Sequence, residues 1–192
     1  MKIAKVEKRE ILEQIYRLRY KVICEELQEL DASDFPEGLE YDEYDEYADQ
    51  YAIFNRKGEL IGCFRLIYRC PLGLPAAKVF ELDGILDAVG RDNICEISRI
   101  SIEKEHRSLQ NTIDIFTRIM VFGCMFMRKK RMDHALCAVE ESLYRLLRIS
   151  NAPFEKVGEP KRYYVRDRFP LLLSMRKLAE IHPKYCRYHS RS

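Results

Sequence analysis

The segment Glu96-Ile97-Ser98-Arg99 sets a carboxylate, a hydroxyl and a guanidinium inside an otherwise apolar stretch. A carboxylate in that setting can serve as a general base, directly or through a water. Three further islands carry comparable chemistry: Leu18-Arg19-Tyr20, the acids Glu40, Asp42 and Asp45, and Phe64-Arg65-Leu66. Arginine keeps its charge in a protein interior, so Arg19, Arg65 and Arg99 need carboxylate partners, and the acidic segment offers them. Two readings fit these groups. One is a structural ion-pair network. The other is a site for a zwitterion, whose carboxylate seeks an arginine and whose ammonium seeks carboxylates. Ser98 either orients a substrate or bonds to the backbone. Cys95 alternates away from Glu96 and no histidine lies in these islands, so no covalent cysteine intermediate is expected.

Charge along the chain bears on that pairing. Residues 22 to 55 hold twelve acids and no Lys or Arg, although the 192-residue chain has a net charge of only +2. Carboxylates this close repel one another unless a cationic ligand or fixed arginines meet them. Tyr41, Tyr44 and Tyr47 recur at every third position among them. From Arg128 onward the balance reverses, with sixteen Lys or Arg against seven acids. A basic surface suits nucleic acid, an anionic membrane or an acidic protein. No helix-turn-helix or aromatic single-strand platform accompanies it, so no nucleic-acid partner is expected.

Composition excludes other classes. With 47% hydrophobic and 33% charged residues the chain can bury a core, which a disordered chain cannot. No apolar run approaches the ~20 residues of a membrane-spanning helix. The N-terminus lacks the apolar core of a signal peptide, so a cytoplasmic location is expected. Seven cysteines stand at positions 24, 63, 70, 95, 124, 137 and 186 with no C-x-x-C pair. They read as small buried hydrophobes in a reducing compartment, with no metal site.

Periodicity places the islands on elements. Residues 7 to 30 show helical spacing, with Ile11, Ile15, Leu18, Val22 and Ile23 on one side. Residues 50–54 and 60–68 read as an antiparallel strand pair around the turn at Asn55 to Gly58. Val79 to Val89 reads as a short helix. Residues 94–102 alternate as a half-buried strand, with Glu96 and Ser98 on one face and Arg99 on the other. Leu109 to Arg131 predicts a long helix ending in Arg128-Lys129-Lys130-Arg131, cations that its dipole favours. His134 to Val139 reads as a buried, parallel strand. Glu141 to Ile149 is an amphipathic helix, and residues 154–158, 162–165 and 170–175 supply short strands before a C-terminal helix or tail. The expected fold is one α/β domain over residues 1–192, a mixed sheet flanked by helices.

In this order and spacing, the islands resemble the autoinducer synthase family and its relatives among GNAT-type acyltransferases. The resemblance is carried by Leu18-Arg19-Tyr20-Lys21-Val22, by Glu40, Asp42 and Asp45, by Arg65-Leu66, by Phe80 and by Glu96-Ile97-Ser98-Arg99. The stretch from Asn151-Ala152-Pro153-Phe154 through Gly158 to Pro170 is similar to N-acyl amino acid synthases and to acyltransferases associated with exosortase systems. Residues 19–26 and 35–40 suggest the same relatives. The resemblance implies a GNAT-like fold that moves a fatty acyl group from acyl carrier protein to an amine. It implies catalytic roles for Glu96 and Ser98 and substrate contacts from Arg19, Glu40, Asp42, Asp45, Arg65, Phe80 and Arg99. No permanently bound cofactor is implied; the donor is the acyl-phosphopantetheine of the carrier protein.

Two departures refine the expectation. Acetyl-CoA-using members of the fold cradle pyrophosphate with a glycine-rich turn entering the long helix. The corresponding residues here, Glu105 to Asn111, include no glycine, which suits a carrier-protein donor. Homoserine-lactone synthases carry a tryptophan soon after the first arginine, near S-adenosylmethionine; this chain has no tryptophan, and Glu29 or Leu30 stands near the place. An amino acid acceptor is therefore expected. The alternatives are an acyl-homoserine-lactone synthase using S-adenosylmethionine and, from another class, a non-catalytic sensor of acyl carrier protein or lipid. Because carrier protein is acidic, Arg128, Lys129, Lys130, Arg131, Arg145 and Arg148 are the expected docking residues.

Overall fold

A computed structural model describes residues 1–149 and 151–183. Strands β1 (Lys2–Lys5), β2 (Ala48–Phe54), β3 (Leu60–Tyr68), β4 (Ile94–Ile102), β5 (His134–Val139), β6 (Phe154–Lys156), β7 (Lys161–Tyr163) and β8 (Arg166–Ser174) build the sheet. Their order is β1-β2-β3-β4-β5-β8-β6, with β7 paired to β8. The expected parallel pairing of β5 is made with β4, and β5 runs antiparallel to β8. Helices α1 (Arg9–Arg19), α2 (Pro75–Phe80), α3 (Asp83–Val89), α4 (Leu109–Lys130), α5 (Glu141–Ile149) and α6 (Met175–Ile181) cover both faces.

Strand alternation sorts the core into two faces. On one, Phe64, Leu66, Cys95 and Ala135 meet Ile115, Ile119 and Met127 of α4. On the other, Ile67, Ile94 and Leu136 meet Ala77, Phe80 and Leu86 of α2 and α3. Ala52 and Cys63 of that second face meet Ile15 and Leu18 of α1. The cysteines follow the same rule: Cys24, Cys63, Cys95, Cys124 and Cys137 are buried and Cys70 is half-buried. Cys186 and the chain beyond residue 183 lie outside the described residues. No helix among the described residues is long and apolar enough to cross a membrane.

Three expectations are corrected. The helix over 7–30 is not uniform: α1 ends at Arg19, a π-helical stretch follows over Tyr20–Glu26, and left-handed Gln28 (φ 51°) lies just beyond it. The helix over 79–89 starts earlier, at Pro75, whose fixed φ suits a first helical position, and divides at left-handed Glu81 (φ 57°) into α2 and α3. Arg99 does not take the face that alternation assigns it. Cys63 pairs with Ser101, but Arg65 pairs with Ser98, so β4 carries one extra residue, and Arg99 there adopts a left-handed φ of 54°. This bulge brings Arg99 to the side of the sheet occupied by Ser98 and Arg65.

Strands β4 and β5 pair over only three positions, ending at Glu96 opposite Leu136. Beyond that point they part, and the gap is the feature on which the site depends.

Candidate functional site

Gln50, Arg65 and Ser98 stand side by side across β2, β3 and β4. Above them the acidic segment is folded into a 3₁₀ turn, Glu43–Tyr47, by its own carboxylates. Asp42 caps it by accepting from the Tyr44 N–H at 3.0 Å, and Asp45 reaches back to accept from the Asp42 N–H at 2.8 Å. The Asp42-x-x-Asp45 spacing is thus a capping box. The box aims the remaining carboxylate oxygens at arginines.

Arg19 donates to Glu40 at 2.5 Å and to both oxygens of Asp45 at 2.8 and 3.0 Å. Arg65 donates to Ser98 Oγ at 3.0 Å, to both oxygens of Asp42 at 2.5 and 2.8 Å, and to Asp45 at 2.8 Å. Arg99 closes the ring through Glu40 at 3.0 Å and Asp42 at 2.9 Å. Three guanidinium groups and three carboxylates therefore neutralise one another in a largely dry site. Arg19 and Glu40 are fully buried, whereas the Asp42 side chain keeps 25% of its surface exposed. Burial disfavours the Asp42 and Asp45 anions, but the arginine hydrogen bonds and charges hold both carboxyls below the ordinary value. The expected pairing of Arg19, Arg65 and Arg99 with the acidic segment is what the structure shows.

Glu96 stands apart from that ring. It is 2% exposed, at the last paired position before β4 and β5 part, and it accepts from the Ala76 N–H in the first turn of α2 at 2.9 Å. Burial is the dominant influence on its carboxyl and pushes it up to about 7, against the opposing pull of the Ala76 N–H, Arg65 and Arg99. A carboxyl of that affinity exchanges protons near neutral pH. Cys95 beside it is pushed up to about 12 by burial and is no nucleophile at neutral pH.

The gap between β4 and β5 opens into a cavity of about 270 Å³. Its walls are apolar along α4 and α5, including Phe116, Ile119, Met120, Leu143 and Leu147, and its rim carries Ser98, Arg99, Glu29, Glu140 and Arg168. The rim has its own ion pairs. Arg168 donates to Glu29 at 2.6 Å, and Arg166 lies 3.3 Å from Glu140. Tyr164, in the turn of the β7–β8 hairpin, accepts from Arg99 at 2.9 Å and links rim to ring. Arg168 packs over the rings of both Tyr163 and Tyr164.

Sequence reasoning missed Glu140, Tyr164 and Arg168, because each joins the site only through long-range contacts. Glu29 carried a partial signal as the residue near the place of a tryptophan. Phe80 packs in the core edge-on to Tyr163 and does not line the cavity. The six basic residues expected to act together divide between two ends of the molecule. Arg128, Lys129, Lys130 and Arg131 close α4 beside the N-terminal end of β5. Arg145 and Arg148 lie on α5, which follows β5 directly at the end where the strands part.

The chain matches the family model described as N-acyl amino acid synthase FeeM over residues 14–176. It is 26% identical over 151 residues to an acyl-homoserine-lactone synthase of Vibrio anguillarum, covering 77% of this chain and 76% of that protein. Among solved structures, TofI in a ternary complex with an inhibitor and MTA superposes with a TM-score of 0.68 at 18% identity, over 97% of this chain and 100% of that one. FeeM, from uncultured soil microbes, gives 0.65 at 15% identity over 98% of each chain. BjaI, a CoA-dependent acyl-homoserine lactone synthase solved with SAM and isopentyl-CoA, gives 0.64 at 22% identity, over 94% of this chain and 84% of that one. The mixed sheet flanked by helices is the fold shared with these structures.

Proposed function

The chain belongs to the FeeM family of N-acyl amino acid synthases, a group of acyltransferases, and on that premise we propose that it moves a fatty acyl group from acyl carrier protein onto the amine of an amino acid. The observation that carries this reading is the apolar cavity that opens where β4 and β5 part, lined by Ser98 and Arg99, with Glu96 at the apex of the strand gap, outside the cavity lining and turned to Ala76 of α2. The acyl chain lies along α4. The thioester sits between the strand edges, whose N–H groups have no cross-strand ladder there and can polarise its carbonyl.

In the proposed step, the acceptor amine attacks the thioester carbon. The C–N bond forms, the C–S bond breaks, and the carrier's phosphopantetheine leaves as a thiolate. Glu96 takes one proton from the bound ammonium through water, which frees the attacking amine, and the second proton, shed by the nitrogen as the amide forms, neutralises the thiolate. Ser98 is held by Arg65 at the edge of the gap and orients the thioester or the acceptor. Because the ring of arginines and carboxylates is neutral as a whole, it accepts a zwitterion without stranding a charge. Asp42 is its most exposed carboxylate and faces the ammonium, while Arg99, 9% exposed, faces the carboxylate.

Two details support the finer choices. At the start of α4, where a pyrophosphate would be cradled, Ser108 occupies the Asn111 N–H with its own hydroxyl at 3.3 Å, which favours a carrier-protein donor over CoA. Glu29, near the place of the missing tryptophan, is consumed by Arg168 and offers no flat surface for adenine, which favours an amino acid over S-adenosylmethionine. The test supplies purified protein with acyl carrier protein or acyl-CoA as donor, and amino acids or S-adenosylmethionine as acceptor. The expected result is N-acyl amino acid from the carrier-bound donor, with no methylthioadenosine. A lactone released with methylthioadenosine would replace the acceptor, and equal use of acyl-CoA would replace the donor. Acyl-carrier binding without any product would replace the enzyme with a sensor.

A further inference from the structure

We infer that Gly123 sets the length of acyl chain that the cavity accepts, an inference that rests on the acyl-transfer reading and names a determinant of its substrate. The face of α4 turned to the cavity consists of Phe116, Ile119, Met120, Gly123 and Met127. That spacing is one helical stripe. Four of its positions present large apolar side chains; Gly123 presents none. The position is buried, yet a Cβ placed there meets, beyond the backbone of its own helix, no atom of the described residues within 4 Å.

Glycine in a helix interior is disfavoured, and its common use in a core is to let another backbone approach. Elsewhere in this chain glycines do admit a close neighbour: a Cβ on Gly62 would lie 3.0 Å from the Ser101 carbonyl, and one on Gly158 would lie 2.9 Å from the Pro170 ring. At Gly123 none of the described residues approaches in this way. What the missing side chain provides is space inside the cavity.

The direction of α4 locates that space. Its C-terminal end leads through Arg131 to Asp133 into β5, beside the closed, paired ends of β4 and β5. A chain entering from the open end passes Phe116, then Ile119 and Met120, and reaches Gly123 about one turn, ~6 Å, before Met127. Gly123 is therefore a notch just short of the floor, and a side chain there would raise the floor by that turn.

The experiment compares wild type, Gly123→Ala and Gly123→Leu in competition assays with saturated acyl carrier proteins of graded chain length, reading products by mass spectrometry. Binding of free saturated fatty acids of the same lengths is measured calorimetrically in parallel. Gly123→Leu is expected to move the preferred chain shorter and to cut use of the longest accepted chain by about tenfold or more, since one methylene in an apolar pocket is worth roughly that much discrimination. Gly123→Ala is expected to fall between the two while melting no lower than wild type, because alanine favours the helix. An unchanged length profile in Gly123→Ala and in folded Gly123→Leu would overturn the assignment. If leucine disrupts folding, the alanine profile alone decides it. If wild type transfers no acyl group, the acyl-transfer reading falls, and the fatty-acid arm still decides whether Gly123 limits chain length.

Discussion

Glu96→Gln separates two consequences of burying a carboxylate at the apex of the strand gap. Burial lifts its carboxyl from 4.5 to about 7. A displacement of that size corresponds to roughly 3 kcal/mol of cost to the ionised form. Between those two values the folded chain keeps a proton that the unfolded chain has released. Stability therefore falls as pH rises across that window, and the full cost persists above it. Glutamine keeps the shape and cannot ionise. The variant should be more stable than wild type above about pH 7, by at most about 3 kcal/mol, less the weakening of the Ala76 hydrogen bond when its acceptor becomes neutral. For a chain of this size each kcal/mol moves the melting temperature by roughly 2–4 °C. The advantage should vanish towards about pH 4, where both forms are uncharged. Turnover should change in the opposite sense, dropping roughly 10²–10⁴-fold and losing the limb that rises through pH ~7. Melting scans across pH, set beside single-turnover kinetics, read both quantities. Melting curves of wild type and variant that stay parallel at every pH would refute the buried-carboxyl argument. An unchanged single-turnover rate would refute the base.

Glu40→Gln strands Arg19 and Arg99 on one side of the ring and should cost about 3–5 kcal/mol in urea melts, a loss that a solvated surface pair would not produce. Asp42→Asn should raise the Michaelis constant for the amino acid far more than that for the acyl donor; equal effects on both would make Asp42 purely structural. Charge reversal at Arg145 and Arg148 should raise the Michaelis constant for acyl carrier protein and flatten its salt dependence, while reversal of Arg128, Lys129 and Arg131 should not. The opposite pattern would put the carrier at the closed end of β4 and β5.

Much of the fold was legible because its strongest signals are local. The apolar run His134 to Val139 and the alternating Ile94 to Ile102 became β5 and β4 with the expected bounds. The four-residue β1 offered too short a pattern to read, and it exists because β2 supplies the partner edge. The helix after Arg19 kept its apolar spacing while widening into π-helical turns, a change that side-chain periodicity does not register. Within the site, the partners of the three arginines were legible from charge alone, since an arginine in an apolar strand requires an acid. Tyr164 and Arg168 were not, because the β7–β8 hairpin that delivers them is placed by tertiary packing.

Arg99 shows why alternation fails at the point that matters most. A left-handed non-glycine residue costs of order 1–3 kcal/mol and persists only where its surroundings over-determine it. Here the bonds to Glu40, Asp42 and Tyr164 do so, and they are available only because the extra residue turns Arg99 to the same side as Arg65. A bulge also bends its strand and sharpens its twist. The pairing with β5 ends at Glu96, three residues before the bulge, and the cavity begins there. The same inserted residue that completes the ion ring therefore also swings β4 away from β5. On this argument the neutral ring beside the gap and the apolar cavity within it share one cause. Restoring a regular ladder through Arg99 would be expected to close the second while breaking the first.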